Sequence, residues 1–232
     1  MNNQHKIIFP RIVVQILFFG VLMPFLPMLI SWHWFWWEAW VYAIIYILSF
    51  AISRMLAARR HPDLIAERVR GVRHESDKPW DRLLVPLVGL GFGSLLLVTG
   101  LDALFGWSPP FNLPMKILSL VIILAGNVFG SYALLENRFF SLIVRIQTER
   151  GHQVISSGPY RWVRHPGYAG ALLVYLATPV LLDSRLAFIP VVFLFVVFVI
   201  RTALEDRVLQ DELAGYGEYA RRVRYRLLPG VW

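Results

Sequence analysis

Cysteine is absent from the 232 residues, which excludes disulfides, thiolate metal sites and a cysteine nucleophile. Charge is scarce: Asp, Glu, Lys and Arg make up 16% of the chain against 57% hydrophobic residues, where soluble domains carry about a quarter charged. Mean hydropathy is +0.55, so lipid has to be the solvent for much of the surface. No glycine-rich phosphate loop follows a strand, because Gly89, Gly91 and Gly93 lie inside an apolar run and read as helix-packing positions. Paired histidines at helical spacing are lacking as well. His61, His74, His152 and His165 are scattered without a companion carboxylate pattern, which argues against a metal centre. No internal repeat or linker divides the chain, and a single membrane domain is expected. No small-residue cleavage site follows the first apolar run, which is therefore expected to be retained.

What is present is a series of apolar runs at about 12–30, 34–53, 83–105, 113–135, 168–182 and 186–203. A helix crosses the hydrocarbon with roughly 20 apolar residues, so the pattern predicts an all-α integral membrane protein of about six transmembrane helices. The last two runs are separated only by Asp183, Ser184 and Arg185 and are expected to form a helical hairpin. The formal charge of +8 has a topological explanation rather than a nucleic-acid one, since no basic residues interleave with aromatics on a polar element. Placed on alternate sides of six spans, all of the 23 Lys and Arg except Lys116 and Arg185 fall on one side. Basic loops stay cytoplasmic, so both termini are expected there. The aromatic cluster 32–37 then anchors the outer interface. After the last run, Leu209, Leu213, Tyr216, Ala220 and Val223 form the stripe of a cytoplasmic amphipathic helix, with a break expected at Gly215 and Gly217.

Polar chemistry concentrates in two places. Gly158-Pro159 is a turn signal, and Pro166 follows His165 at the start of the fifth run, which leaves free backbone N–H groups and a positive dipole end there. His165 and Tyr168 are three apart and share a face. Near the end of the sixth run stand Arg201, Glu205 and Asp206; charges beside hydrocarbon are costly and tend to pair or to line a wet cavity. An intrahelical Arg201–Glu205 pair is the plain expectation, and anchoring at lipid headgroups is the plain expectation for Arg161, Arg164 and Tyr168. If the last two runs are hairpin partners, however, their inner ends lie side by side, and His165, Tyr168, Arg201 and Glu205 converge on one polar pocket.

These residues resemble the isoprenylcysteine carboxyl methyltransferase family and its phospholipid methyltransferase relatives, over roughly 137–229. The resemblance rests on several elements in order. A His-x-x-Val-like segment comes first, then Gly-Pro-Tyr-Arg-x-x-Arg-His-Pro-x-Tyr-x-Gly over 158–170. Arg-x-x-x-Glu-acidic-x-x-Leu follows over 201–209, then Tyr216-Gly217-Glu218-Tyr219 and Arg226-Leu227-Leu228-Pro229. It implies a cofactor-binding region over 136–232 that takes S-adenosylmethionine without a Rossmann fold, while 1–135, matched by hydropathy alone, is expected to be a four-helix membrane scaffold. By the same resemblance, His152, Gln153, Val154, Ile155, Tyr160, His165, Pro166, Gly167 and Tyr168 contact the cofactor, with Gln147 corresponding to a preceding glutamine. Glu205 is implied as a cofactor contact and Arg201 as the residue that positions substrate. Gly167 stands where the family has a bulkier residue, and Asp206 where it has a second glutamate.

The implied reaction moves a methyl group to a hydrophobic or lipid-linked acceptor, with no metal and no nucleic acid as partner. A carboxylate acceptor is ionised at neutral pH and suits a bidentate arginine contact. An amine or thiol, of a phospholipid, small thiol or isoprenoid, requires a base, for which Glu205 or His165 is the candidate. Readings of another class remain open from the residues alone: a non-catalytic membrane ligand-binding protein, or a small transporter.

Overall fold

A computed structural model describes residues 16–64 and 77–232. The start of the first apolar run, with Lys6, Arg11, Arg68, Arg70, Arg73 and His74, lies outside the described residues. All regular structure among the described residues is helical. A π-helical turn (Ile16–Leu22) and a 3-10 turn (Met23–Phe25) lead into α1 (Leu26–Ser31), followed by α2 (Trp37–Arg60), α3 (Asp81–Phe105), α4 (Leu113–Glu136), α5 (Pro166–Leu181), α6 (Phe188–Glu212) and α7 (Tyr216–Arg222).

Four of these, α2, α3, α4 and α6, are 24 or 25 residues long and apolar enough to cross a membrane; at 1.5 Å per residue each spans about 36 Å. The chain is thus an integral membrane protein. The remaining two apolar runs give shorter helices, 20–31 and 166–181, and the reason is local. Pro24 and Pro27 each lack the N–H that an α-helical ladder needs, and the first run is correspondingly broken into π, 3-10 and α turns. The fifth run can start only at Pro166, whose missing N–H is harmless at the first helical position. It stops before Asp183, which adopts a left-handed φ of 55°.

The helices are held by close packing rather than by long loops. Gly126 on α4 and Gly170 on α5 approach so nearly that a Cβ on either would lie 2.7 or 2.6 Å from the carbonyl oxygen of the other, the backbone contact that small residues permit between helices in lipid. α5 accordingly packs most closely on α4, while α6 packs along α3. Met28, Tyr42, Leu95, Leu96, Ile123, Leu181, Leu194 and Phe198 form the shared apolar core. At the end of the bundle where α2 and α4 begin, a polar knot closes the assembly. Lys116 Nζ donates to Glu38 at 2.5 Å and to Asp183 at 2.6 Å, and Asp102 accepts from the hydroxyls of Ser108 and Ser184, both at 2.6 Å. The exposed Trp32, Trp34, Phe35 and Trp37 surround this end, as an interfacial aromatic belt does. The candidate site lies at the opposite end.

Gly170→Val puts a branched side chain against the α4 backbone and should cost about 1–3 kcal/mol by overpacking. A guanidinium or thermal unfolding curve in detergent reads this directly. Gly93→Ala, whose added Cβ meets nothing within 4 Å, should leave the same curve unchanged.

Candidate active site

The segment before α5 is fixed by a carboxylate that arrives from α6. Asp206 is fully buried. Its Oδ1 accepts from the Tyr216 hydroxyl at 3.0 Å and faces His165 Nε2 at 3.4 Å. Its Oδ2 accepts from Gln210 at 2.8 Å and Arg226 Nε at 3.0 Å, with Arg164 Nη1 at 3.3 Å. One side chain thus ties the pre-α5 segment, α6, α7 and the C-terminal tail together. Two main-chain bonds reinforce the tie, Arg164 N–H to Tyr225 O and His165 N–H to Arg226 O, each 2.9 Å. The Tyr219 hydroxyl donates to Tyr160 O at 2.8 Å. Burial, and then the Asp206 charge, push the Tyr216 phenol well up from its ordinary value, so it stays a donor to that carboxylate at any physiological pH.

Around this tie a cavity opens. Tyr160, His165, Gly167, Tyr168 and Glu205 line it from the helical elements, and His152, Gln153, Val154 and Ile155 line it from the loop between α4 and α5. Tyr168 OH donates to Glu205 Oε2 at 2.5 Å, and the rings of His165 and Tyr168 stack with centroids 5.7 Å apart. The convergence occurs although α5 packs chiefly on α4, because the first turn of α5 and the last turns of α6 reach the same end of the bundle. Gly167 leaves a gap that Phe140 fills: a Cβ there would lie 2.6 Å from the Phe140 ring.

Three of the expected residues sit elsewhere. Pro166 is buried at the first turn of α5 outside the cavity lining. Gln147 is fully buried and bonded within its own loop, donating to Phe139 O at 2.7 Å and accepting from Arg150. Arg201 is paired not with Glu205 but with Asp81 at the start of α3, through Nε at 2.7 Å and Nη2 at 2.9 Å. Its Nη2 also donates to Leu142 O at 2.7 Å, and its guanidinium lies 5.1 Å over the Tyr168 ring. The flat fork of arginine matches a carboxylate bidentately, and Asp81 stands at a helix N-terminus where a negative charge is favoured. Asp81 Oδ2 accepts further from Val144 N–H at 2.7 Å, so the pair also pins the loop.

Other lining residues had no motif to announce them. Asn137, Phe139, Phe140 and Val144 belong to a loop without periodicity, whereas Leu209, Leu213 and Tyr216 were visible as an amphipathic stripe and turn that stripe toward the cavity. The helix breaks after Glu212, at Gly215 with φ 82°, as the glycines there foretell. Arg164 also lines the cavity, and its Nε is buried with no hydrogen-bond partner among the described residues. Gln153, Val154 and Ile155 make no main-chain hydrogen bond among the described residues. The cavity is therefore bordered by extended backbone with free donors and acceptors, an unsatisfied guanidinium nitrogen, a carboxylate and several aromatic rings.

His152 packs its ring 4.5 Å from that of Phe139, and its Nδ1 accepts the Gln147 N–H at 3.3 Å. Burial, with the nearby Arg145 and Arg150, lowers its pKa from 6.5 to about 4. Between these values the unfolded chain holds the extra proton, so the stability present above pH 6.5 should decline as pH falls toward 4 and then level off. His152→Phe should remove that part of the slope, measured as the difference between the two proteins' pH–stability curves. The Asp81–Arg201 pair yields a second expectation. Arg201→Met strands a fully buried carboxylate and should cost about 3–5 kcal/mol, whereas Asp81→Asn combined with Arg201→Met should cost clearly less than the two single changes summed, in the same unfolding assay.

Comparison with known proteins bears on what this cavity is. The isoprenylcysteine carboxyl methyltransferase (ICMT) family matches residues 118–211, which run from α4 through the loop and α5 to the end of α6. A probable protein-S-isoprenylcysteine O-methyltransferase of Oryza sativa subsp. indica is 35% identical over 114 residues, 47% of this chain and 59% of that protein. The protein-S-isoprenylcysteine O-methyltransferase of Saccharomyces cerevisiae is 30% identical over 112 residues, 46% of each. A Delta(14)-sterol reductase of Mus musculus is 31% identical over 135 residues, 53% of this chain and 32% of that protein. The match spans somewhat more than half the length of the plant relatives. Through the segment 118–211, which carries most of the cavity wall, the chain is similar to the isoprenylcysteine carboxyl methyltransferase family.

Proposed function

We propose that this protein is an S-adenosylmethionine-dependent methyltransferase that methylates the carboxylate of a prenylated, lipid-linked acceptor at the cytoplasmic face of its membrane. The observation that carries the reading is the convergence of Glu205, Tyr168, His165 and Arg164 with the unpaired backbone of 153–155 on one cavity. These groups suit the cofactor's chemistry. Free main-chain donors and acceptors at Gln153, Val154 and Ile155, with His152 and Tyr160, would hold the nucleoside. Arg164 Nε offers a partner for the amino-acid carboxylate, and Glu205 one for the ammonium or the ribose hydroxyls. Bound there, S-adenosylmethionine would supply an electrophilic methyl on its sulfonium, with the sulfur as leaving group.

The chain's own contribution is alignment and dryness. A carboxylate acceptor is already ionised at neutral pH, so no base is required, and alignment of the acceptor at about 3–3.5 Å supplies most of the acceleration. Tyr168 fixes Glu205 by its hydrogen bond, and Arg201, held by Asp81, supports the Tyr168 ring from the other side. Arg201 then acts on substrate positioning through Tyr168. Leu209, Leu213 and Val154 keep water from the cavity wall.

For topology, we take α5 and the 20–31 segment as membrane-inserted with the four long helices. This gives six passes, with α5 and α6 as a hairpin, 1–135 as scaffold and 136–232 as the cofactor region. The distribution of Lys and Arg supports cytoplasmic termini and a cytoplasmic α7.

Titration of the purified chain with S-adenosylhomocysteine should raise its thermal midpoint, in line with about 2.7 kcal/mol of stabilisation at one hundred times Kd. Glu205→Ala should weaken that binding by about tenfold or more, the worth of one charge-assisted hydrogen bond. Labelled methyl should appear in a base-labile ester of an S-prenylcysteine. No stabilisation by S-adenosylhomocysteine at saturating concentration would contradict the proposal.

A further inference from the structure

Beyond α7 the chain presents a surface that methyl transfer does not use. Residues 226–232 close on themselves: the N–H groups of Arg226 and Leu227 donate to Trp232 O, each at 2.9 Å, and Trp232 N–H returns to Leu228 O at 3.2 Å. The Arg226 guanidinium lies 5.0 Å over the Trp232 ring and donates through Nε to Asp206. Leu227 is buried in this knuckle, while Leu228 is 41% and Val231 77% exposed. Apolar side chains held out on a closed turn lose little further freedom when something covers them.

The approach to the knuckle is basic. Arg221 and Arg222 end α7 and Arg224 follows; all three are exposed, and none has an ion pair or a side-chain hydrogen bond among the described residues. The one acidic side chain from Tyr216 to Trp232 is Glu218. Other basic side chains at this end are spent on partners: Lys78 on Glu212, Arg201 on Asp81, Arg164 and Arg226 on Asp206. The level of the lipid is marked by the adjoining segment. Tyr225 and Arg226 lie beside Arg164 and His165 through their main-chain bonds. Two residues before Arg164, the exposed Trp162 stacks on Phe129 of α4 with centroids 6.1 Å apart, next to the outward Val128 and near the exposed Tyr132. Tryptophan and tyrosine gather at headgroup level, and Arg161, exposed and without an ion pair among the described residues, stands there too. Positive charge grouped with apolar tips at that level complements an anionic phospholipid surface. An acidic protein would answer the charge but not the apolar tip.

We propose that Arg221, Arg222 and Arg224, with Leu228 and Val231, form a docking surface for anionic phospholipid in the leaflet at the candidate-site end, with Arg161 and Trp162 at its edge. Seated there, the knuckle steadies Tyr225 and Arg226, and with them the Arg164 and His165 wall of the cavity. The docking stands apart from the methyltransferase reading, and none of its readouts involves a methyl donor.

The full chain has no cysteine of its own, so Val231→Cys takes a polarity-sensitive fluorophore at one site. In nanodiscs containing phosphatidylglycerol its emission should shift to the blue and be quenched by brominated acyl chains; in discs of phosphatidylcholine alone it should do neither. Changing Arg221, Arg222 and Arg224 together to Gln should lower the ratio of docked to free knuckle by about a hundredfold, at about fivefold for each arginine near a charged surface. Salt at about 1 M, where screening acts within about 3 Å, should release the knuckle without any substitution. The amides of Arg164 and His165 should exchange more slowly in the charged discs. Equal emission in the two kinds of disc overturns the proposal, as does a shift that survives either the triple change or the salt. A shift produced in neutral discs by inositol hexakisphosphate also overturns it, in favour of a soluble polyphosphate. Unchanged exchange at Arg164 and His165 with the label docked overturns the tie to the cavity wall.

Discussion

Asp206 presents a carboxylate that water does not reach, and a buried charge of this kind survives only if donors surround it. Meeting that demand draws Arg164, His165, Tyr216, Gln210 and Arg226 to one point from four stretches of chain. The cavity is the space these stretches enclose once they are so tied. Truncating a single partner of a buried ion is far more damaging than never having the ion, so the tie is maintained as a unit. Asp206 does not itself line the cavity; its effect on any ligand passes through the groups it orients.

The two ends of the bundle solve the same electrostatic problem in different ways. At the end where α2 and α4 begin, Lys116 faces both Glu38 and Asp183, and the polar groups there satisfy one another. At the opposite end, Arg201 and Asp81 are matched, but the Nε of Arg164 and the backbone of 153–155 have no partners among the described residues. A closed knot holds helices together, and an incompletely satisfied set of donors invites a ligand. Polar groups without partners beside a cavity are costly in an apolar surround, and a ligand that pairs with them offsets that cost.

Hydropathy made the helical character and the four long spans legible, because a run of some 20 apolar residues has few other folds available in lipid. It overstated the regularity of the first run, where Pro24 and Pro27 divide the helix, and the length of the fifth, bounded by Pro166 and Asp183. His165, Tyr168 and Glu205 could be brought together on paper because they stand at adjoining ends of consecutive runs. Arg201 could not be paired correctly: its partner Asp81 is 120 residues away, and spacing within one helix pointed to Glu205. Asp206 looked like a neighbour of the important acid, since nothing in a linear chain reveals how many distant donors will converge on one oxygen pair. The place of Phe140 beside Gly167 was equally hidden, being a complementarity of volume between a loop and a helix.

On the function proposed above, the cavity under the Asp206 tie takes an S-adenosyl ligand on the backbone of 153–155. Hydrogen–deuterium exchange of the full chain, with and without S-adenosylhomocysteine, addresses those amides one by one. Slowed exchange is expected at 153–155 and over 165–168 on ligand addition, with the amides of α3 unaffected. Unchanged exchange at 153–155 in the presence of bound ligand would contradict it.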